Sequence, residues 1–228
     1  MMYKLSSTCQ IPNLDKIYEK YFGTRLGTFV EVGAFDGESV SNTSCLSDAG
    51  WKGYYIEPVK DHYEQCVNRH KKNINVKVSN FAIGTQEGLV PVYCSGIVST
   101  LDETQAKNVS SMSLFGYPQY NTSQCVQIRL DNYLKLEKIP KDFDLLVVDV
   151  EGREEDVFKS FKFDDWKPKM MIIELIDDHP YFQDDKNLVE SCRRVREYII
   201  NMGYFEIFHD EINTIFVLND NIFSNTNL

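Results

Sequence analysis

From Thr28 onward the apolar positions of this chain switch repeatedly between short continuous runs and stretches spaced at three and four residues. The runs predict strands near 28–33, 53–57, 74–78, 143–149 and 169–175, and the spaced stretches predict helices near 38–49, 60–70, 151–160 and 186–202. Strands alternating with helices imply βαβ units and a mainly parallel sheet. Leu145, Leu146, Val147 and Val148, like Met170, Met171, Ile172 and Ile173, form the uninterrupted apolar runs of strands covered on both faces, so they belong at the centre of that sheet. Before the first strand, Leu14, Ile17, Tyr18, Tyr21 and Phe22 recur at helical spacing and predict a short amphipathic helix. Residues 1–27 are therefore read as an N-terminal helical extension.

Two departures from the alternation shape the expected fold. After the third strand, Gly88 to Cys94 and Cys125 to Leu130 read as extra extended segments, joined by a polar stretch over 95–124 rich in Ser, Thr and Asn. A connection of that length inside a compact domain is expected to be functional or disordered, and as a functional segment it is assigned as a lid over the substrate. Phe115, Tyr117 and Tyr120 within it are aromatic faces that either stack on a sugar ring or pack back on the domain. At the C-terminus, Tyr204 to Phe208 and Ile212 to Leu218 flank a polar turn and predict an antiparallel hairpin closing the sheet. The chain shows no repeat or linker, and 1–228 is read as one α/β domain.

Composition narrows the class. Hydrophobic content of 43% and charged content of 25% are those of an ordinary globular protein. Asp and Glu outnumber Lys and Arg by 34 to 24, a net charge of −10, which disfavours nucleic acid and anionic membrane surfaces as partners. The six cysteines are scattered without a C-x-x-C pair and read as reduced thiols. No signal-peptide pattern and no apolar run of membrane-spanning length occur, so a cytoplasmic location is expected.

The chemistry gathers where the predicted strands end. After the first strand, Gly33-Ala34-Phe35-Asp36-Gly37 followed by Ser39 forms a turn that exposes backbone N–H groups. Its G-x-x-x-G spacing departs from the G-x-G-x-x-G of dinucleotide sites and argues against a nicotinamide-dependent oxidoreductase. Glu31 is a carboxylate on an otherwise apolar strand; it either faces solvent or a lysine, or awaits a cationic group on a ligand. Glu57 ends the second strand and Pro58 stops further pairing, which sets a carboxylate at the sheet edge where ribose hydroxyls bind in open α/β folds. Asn80 and Phe81 follow the third strand, as a plain turn or as an amide and aromatic face for an adenine ring.

The fourth and fifth strands finish in Asp149 and Glu151 and in Glu174, bringing several carboxylates to the same edge. They are candidates to position an acceptor hydroxyl, to deprotonate it, or to hold a divalent cation, and no metal site is assigned to them. Glu154 and Glu155 read as acids complementing the start of the following helix. Of the histidines, His179 lies in a turn at the functional edge and is a candidate general base, whereas His62 and His70 read as exposed helix positions and His209 as a distant hairpin residue.

These segments together resemble the FkbM family of S-adenosylmethionine-dependent methyltransferases. The resemblance rests on Phe29 to Gly37 with Ser39, Gly50 to Pro58, Ala82 to Gly84, Asp144 to Gly152 with Glu154, and Pro168 to Glu174. It implies a Rossmann-like class I methyltransferase fold, a seven-stranded sheet with helices on both faces and a reversed last strand. It also implies that Gly33 and Gly37 shape the loop under the methionine portion of S-adenosylmethionine, that Glu31 lies near its amino group, that Glu57 binds its ribose, and that Asp149 stands by the transferred methyl. Many members carry Asp and Asn where this chain has Glu31 and Phe35-Asp36, and Lys where it has Val147-Val148. The implied activity is methylation of a hydroxyl on a small molecule, sugar or glycan. A catalytically silent cofactor-binding partner of the same fold is the alternative, and the oligomeric state is open.

Overall fold

The structure is a computed structural model that describes residues 2–95, 99–111 and 120–219, with the side chains of 108–111 outside the description. Phe115 and Tyr117 lie outside those residues.

Seven strands form the main sheet: β1 (Thr28–Val32), β2 (Lys52–Ile56), β3 (Val76–Ser79), β7 (Leu145–Val148), β8 (Met170–Glu174), β9 (Tyr204–His209) and β10 (Asn213–Leu218). Their order is β3-β2-β1-β7-β8-β10-β9, and β10 runs antiparallel to both of its neighbours. The chain leaves β1 toward β2 and β3 and later returns to β7 on the other side of β1. The crevice above β1 is therefore the point where the winding direction reverses, which is where open α/β sheets bind ligands. In-register pairing from Glu31 to Tyr55 and to Val147 brings the three strand ends together.

Strand alternation sorts the core onto two faces. Val30, Val32, Leu146 and Val148 face a layer holding α5 (Leu130–Leu136), α6 (Glu154–Lys159) and α7 (Lys186–Asn201). Phe29, Tyr55, Leu145 and Val147 face a layer built from α1 (Leu14–Phe22), α2 (Ser44–Asp48) and α3 (Lys60–His70), together with Tyr3 and Ile11 of the N-terminal segment. Tyr3 and Ile11 are fully buried, so the residues before α1 are anchored at both ends.

Three sequence expectations change in the structure. The helix expected over 38–49 shrinks to α2, because Phe35, Gly37 and Val40 adopt left-handed backbone and polar side chains capture the amides that would begin a longer helix. Asp36 accepts the N–H groups of Glu38 and Ser39, and Ser41 Oγ accepts those of Thr43 and Ser44. The helix expected from 151 starts at Glu154, since Glu151 and Gly152 are also left-handed. The extended segments expected after β3 do form strands, in a second sheet of β4 (Ala82–Ile83), β5 (Gly88–Cys94) and β6 (Asn121–Ile128) in the order β4-β6-β5. The stretch read as a loop contains α4 (Glu103–Ser111). All six cysteines are free, and among the described residues no helix is long and apolar enough to cross a membrane.

Candidate active site

A cavity of about 1000 Å³, measured out to its mouth, opens above the ends of β1, β2 and β7. Of the sequence candidates it gathers Glu31, Gly33, Ala34, Phe35, Ser39, Glu57, Pro58, Phe81, Asp149 and Glu151. The insertion contributes Ser99, Thr100 and Leu101 to the lining. Thr100 Oγ1 donates to the Glu151 carbonyl at 3.0 Å, which fastens the insertion to the carboxylate-bearing turn.

The floor of the cavity depends on Gly33. It sits at φ +89°, and a Cβ there would lie 1.6 Å from the Asp149 carbonyl oxygen, so only glycine lets the end of β1 approach the end of β7. Gly33 and Ala34 N–H both donate to Ile56 O, and Asp149 N–H donates to Val32 O. Gly37 lies outside the lining: a Cβ on it would meet Cys66 Sγ at 2.6 Å and His70 Nε2 at 2.8 Å, so its role is close packing on α3.

Each carboxylate has its own environment. Glu57 is buried; its Oε2 accepts from Phe35 N–H at 2.9 Å and its Oε1 from Val59 N–H at 2.8 Å. Glu31 is 5% exposed and accepts the Thr43 hydroxyl, with no cation among its described partners. Burial pushes its carboxyl up to about 8 against the opposing Thr43 bond, with Asp149 and Glu57 adding repulsion. Burial likewise raises Asp149 to about 6, against a hydrogen bond with Glu174. Asp149, Glu151 and Glu174 lie with carboxylate oxygens within 4.8 Å of one another. Burial raises Glu151 and Glu174 well above the usual carboxylate range, with repulsion from Asp149 and Glu154 adding to it.

Other candidates stand elsewhere. Asp36 and Asn80 do not line the cavity but set its walls: Asp36 accepts the Ser39 hydroxyl at 2.7 Å, and Asn80 Nδ2 donates to the carbonyls of Glu57 and Pro58. His179 is also outside the lining, where its Nδ1 accepts Tyr181 N–H at the start of a 3-10 turn over Pro180–Phe182. Glu154 is buried and accepts the N–H groups of Val150 and Gly152, closing the turn after β7, while Glu155 pairs with Arg194 and Lys159.

The expectation of exposed histidines on α3 is overturned. His62 lines the cavity with its ring edge-on to Phe35 at 4.4 Å and its Nδ1 3.8 Å from Glu57 Oε1. His70 is 4% exposed, stacks on Tyr55 at 4.7 Å and meets the Gly37 carbonyl through Nε2. His62, Cys66 and His70 form an i, i+4, i+8 stripe that faces the sheet. That spacing was the available signal, concealed because histidine counts as polar in a hydrophobicity pattern.

A seven-stranded sheet with one reversed strand and a carboxylate-lined crevice at its switch point defines a Rossmann-like class I methyltransferase. The profile of the methyltransferase FkbM domain matches residues 31–205, and the chain belongs to that family, whose methyl donor is S-adenosylmethionine. No curated protein sequence matches the chain. Among solved structures, an O-methyltransferase from Bacillus cereus in complex with SAH is similar at 13% identity, with 94% of this chain and 84% of that chain covered and a TM-score of 0.52. The O-methyltransferase TomG from Streptomyces achromogenes, involved in tomaymycin synthesis and solved with SAM, is similar at 12% identity over 90% of this chain and 77% of that one, with a TM-score of 0.51.

Proposed function

We propose that this protein transfers the methyl group of S-adenosylmethionine to a hydroxyl oxygen of a small molecule, sugar or glycan. One observation carries the reading: the cavity at the switch point is lined by Glu31, Glu57, Asp149 and Glu151, and none of its described lining residues is Lys or Arg. Such a hollow favours a ligand bearing positive charge and hydroxyl groups over a phosphorylated one. The absence of basic residues also supports a reading without nucleic acid as substrate, and the acidic chain as a whole is consistent with a cytoplasmic enzyme.

The residues present fit the cofactor. Glu31 is a buried carboxyl group with no cation among its described partners, and an ammonium group would favour its ionised form. Glu57 has both oxygens pinned by backbone amides and retains acceptor capacity for a pair of vicinal hydroxyls. Phe35, His62 and Phe81 supply flat apolar surface beside it. When bound, S-adenosylmethionine supplies an electrophilic methyl on cationic sulfur.

The remaining work falls to this chain's own groups. Asp149, raised to about 6 but ionised at pH 7, takes the proton of the acceptor hydroxyl. Glu174, hydrogen-bonded to it, orients that carboxylate. Thr100 and Leu101 shelter the site from water on the insertion side.

Transfer of labelled methyl to a panel of neutral hydroxylated acceptors tests the proposal. Product formation that disappears in Asp149→Asn supports it. A protein that fails to bind S-adenosylhomocysteine by titration calorimetry overturns it.

A further inference from the structure

The N-terminal segment before α1 supplies a wall of the cavity that the motifs do not include. Thr8 Oγ1 accepts Val40 N–H at 3.1 Å, and Gln10 Oε1 accepts from Asn42 Nδ2 at 3.3 Å, so residues 8–10 are laced to residues 40–42. Val40 is held at φ +53°, a conformation that costs a β-branched residue energy and persists only where its surroundings fix it. Tyr18 OH donates to the Asn42 carbonyl at 2.7 Å and locks the same strip from α1. Gln10, Ser41 and Asn42 all line the cavity, at the end where Thr43 bonds Glu31.

Two donors in this wall lack an acceptor. The Gln10 amide uses its oxygen on Asn42 and makes no hydrogen bond through Nε2 among the described residues. Ser41 is 5% exposed, and its Oγ accepts two backbone amides at 3.1 Å but donates its own proton to no described residue. A buried hydroxyl proton without an acceptor is costly, and its position beside the Glu31 end of the cavity points to an anionic or carbonyl oxygen of a ligand.

We propose that Gln10 and Ser41 form a carboxylate-binding subsite, which together with Glu31 reads the zwitterionic amino-acid head of the cofactor. The inference rests on the methyl-donor reading above and deepens it. Glu31 answers the ammonium, and the carboxylate is received by neutral donors because the described lining offers no arginine or lysine. The segment preceding α1 thereby becomes part of the binding site, although it lies outside the family match, which begins at residue 31.

Calorimetric titration with S-adenosylmethionine and with its decarboxylated analogue, which keeps the ammonium, separates this subsite from general binding. The wild-type protein is expected to prefer the carboxylate form by roughly tenfold or more, the scale of hydrogen bonds to a charged group. Gln10→Ala and Ser41→Ala should each reduce that preference. Gln10→Glu, which sets like charges together, should reverse the preference. An unchanged ratio in all three variants overturns the subsite. A wild-type protein that binds neither ligand overturns the methyl-donor reading beneath it.

Discussion

The Glu57 carboxylate accepts the backbone N–H of Phe35 at 2.9 Å, so the end of β2 holds in place the turn that ends β1. Phe35 sits at φ 48°, and that bond to Oε2, with the Val59 N–H bond to Oε1, ties the strained turn to a charge that also faces the cavity. One carboxylate therefore both holds the turn and lines the cavity.

Glu57→Gln retains one acceptor oxygen where the wild type uses two, and it loses the charge. Affinity for S-adenosylhomocysteine is expected to fall roughly tenfold to a hundredfold, the scale of a lost charge-assisted bond. Titration calorimetry checks this, and an unchanged dissociation constant would remove Glu57 from the cofactor site.

Glu31 makes stability depend on pH. Its carboxyl stands near 8 in the folded protein and near 4.5 when exposed, so between these values the native state binds a proton that the unfolded chain releases. The stabilising contribution is complete below about pH 4.5 and is lost as pH rises through about 8. Thermal melts of the ligand-free protein should lose more stability across that window than melts of Glu31→Gln. Parallel curves for the two proteins would contradict the assignment.

The proton-accepting role proposed for Asp149 implies an acid limb of activity. With its carboxyl raised to about 6, a proton-accepting role requires turnover to decline as pH drops below that value. Asp149→Asn should lower kcat by roughly 10² to 10⁴ and abolish the limb. A variant that keeps wild-type kcat shows that another group takes the proton.

The two glycines of the first turn should respond differently to repair. Gly33→Ala forces a Cβ against the backbone oxygen of Asp149 and is expected to cost on the order of 3 kcal/mol or more, with no rescue by a side-chain change. Gly37→Ala meets the side chains of Cys66 and His70, so the added substitution Cys66→Ala should recover part of the loss. Denaturant unfolding of the single and double variants measures both. Equal rescue at the two positions would falsify the distinction.

The alternation of apolar runs was enough to determine the strands, the hairpin from Tyr204 to Leu218 and the acids at the strand ends, because each is a local pattern of period or position. Tertiary structure alone decided which of those acids share a cavity, since Asp149 and Glu57 meet only after β1 has paired with both β2 and β7. It also turned His62 inward and brought Gln10 to the cavity wall: side chains of ambiguous polarity take their burial from the partners that packing brings them, and those partners are distant in the chain.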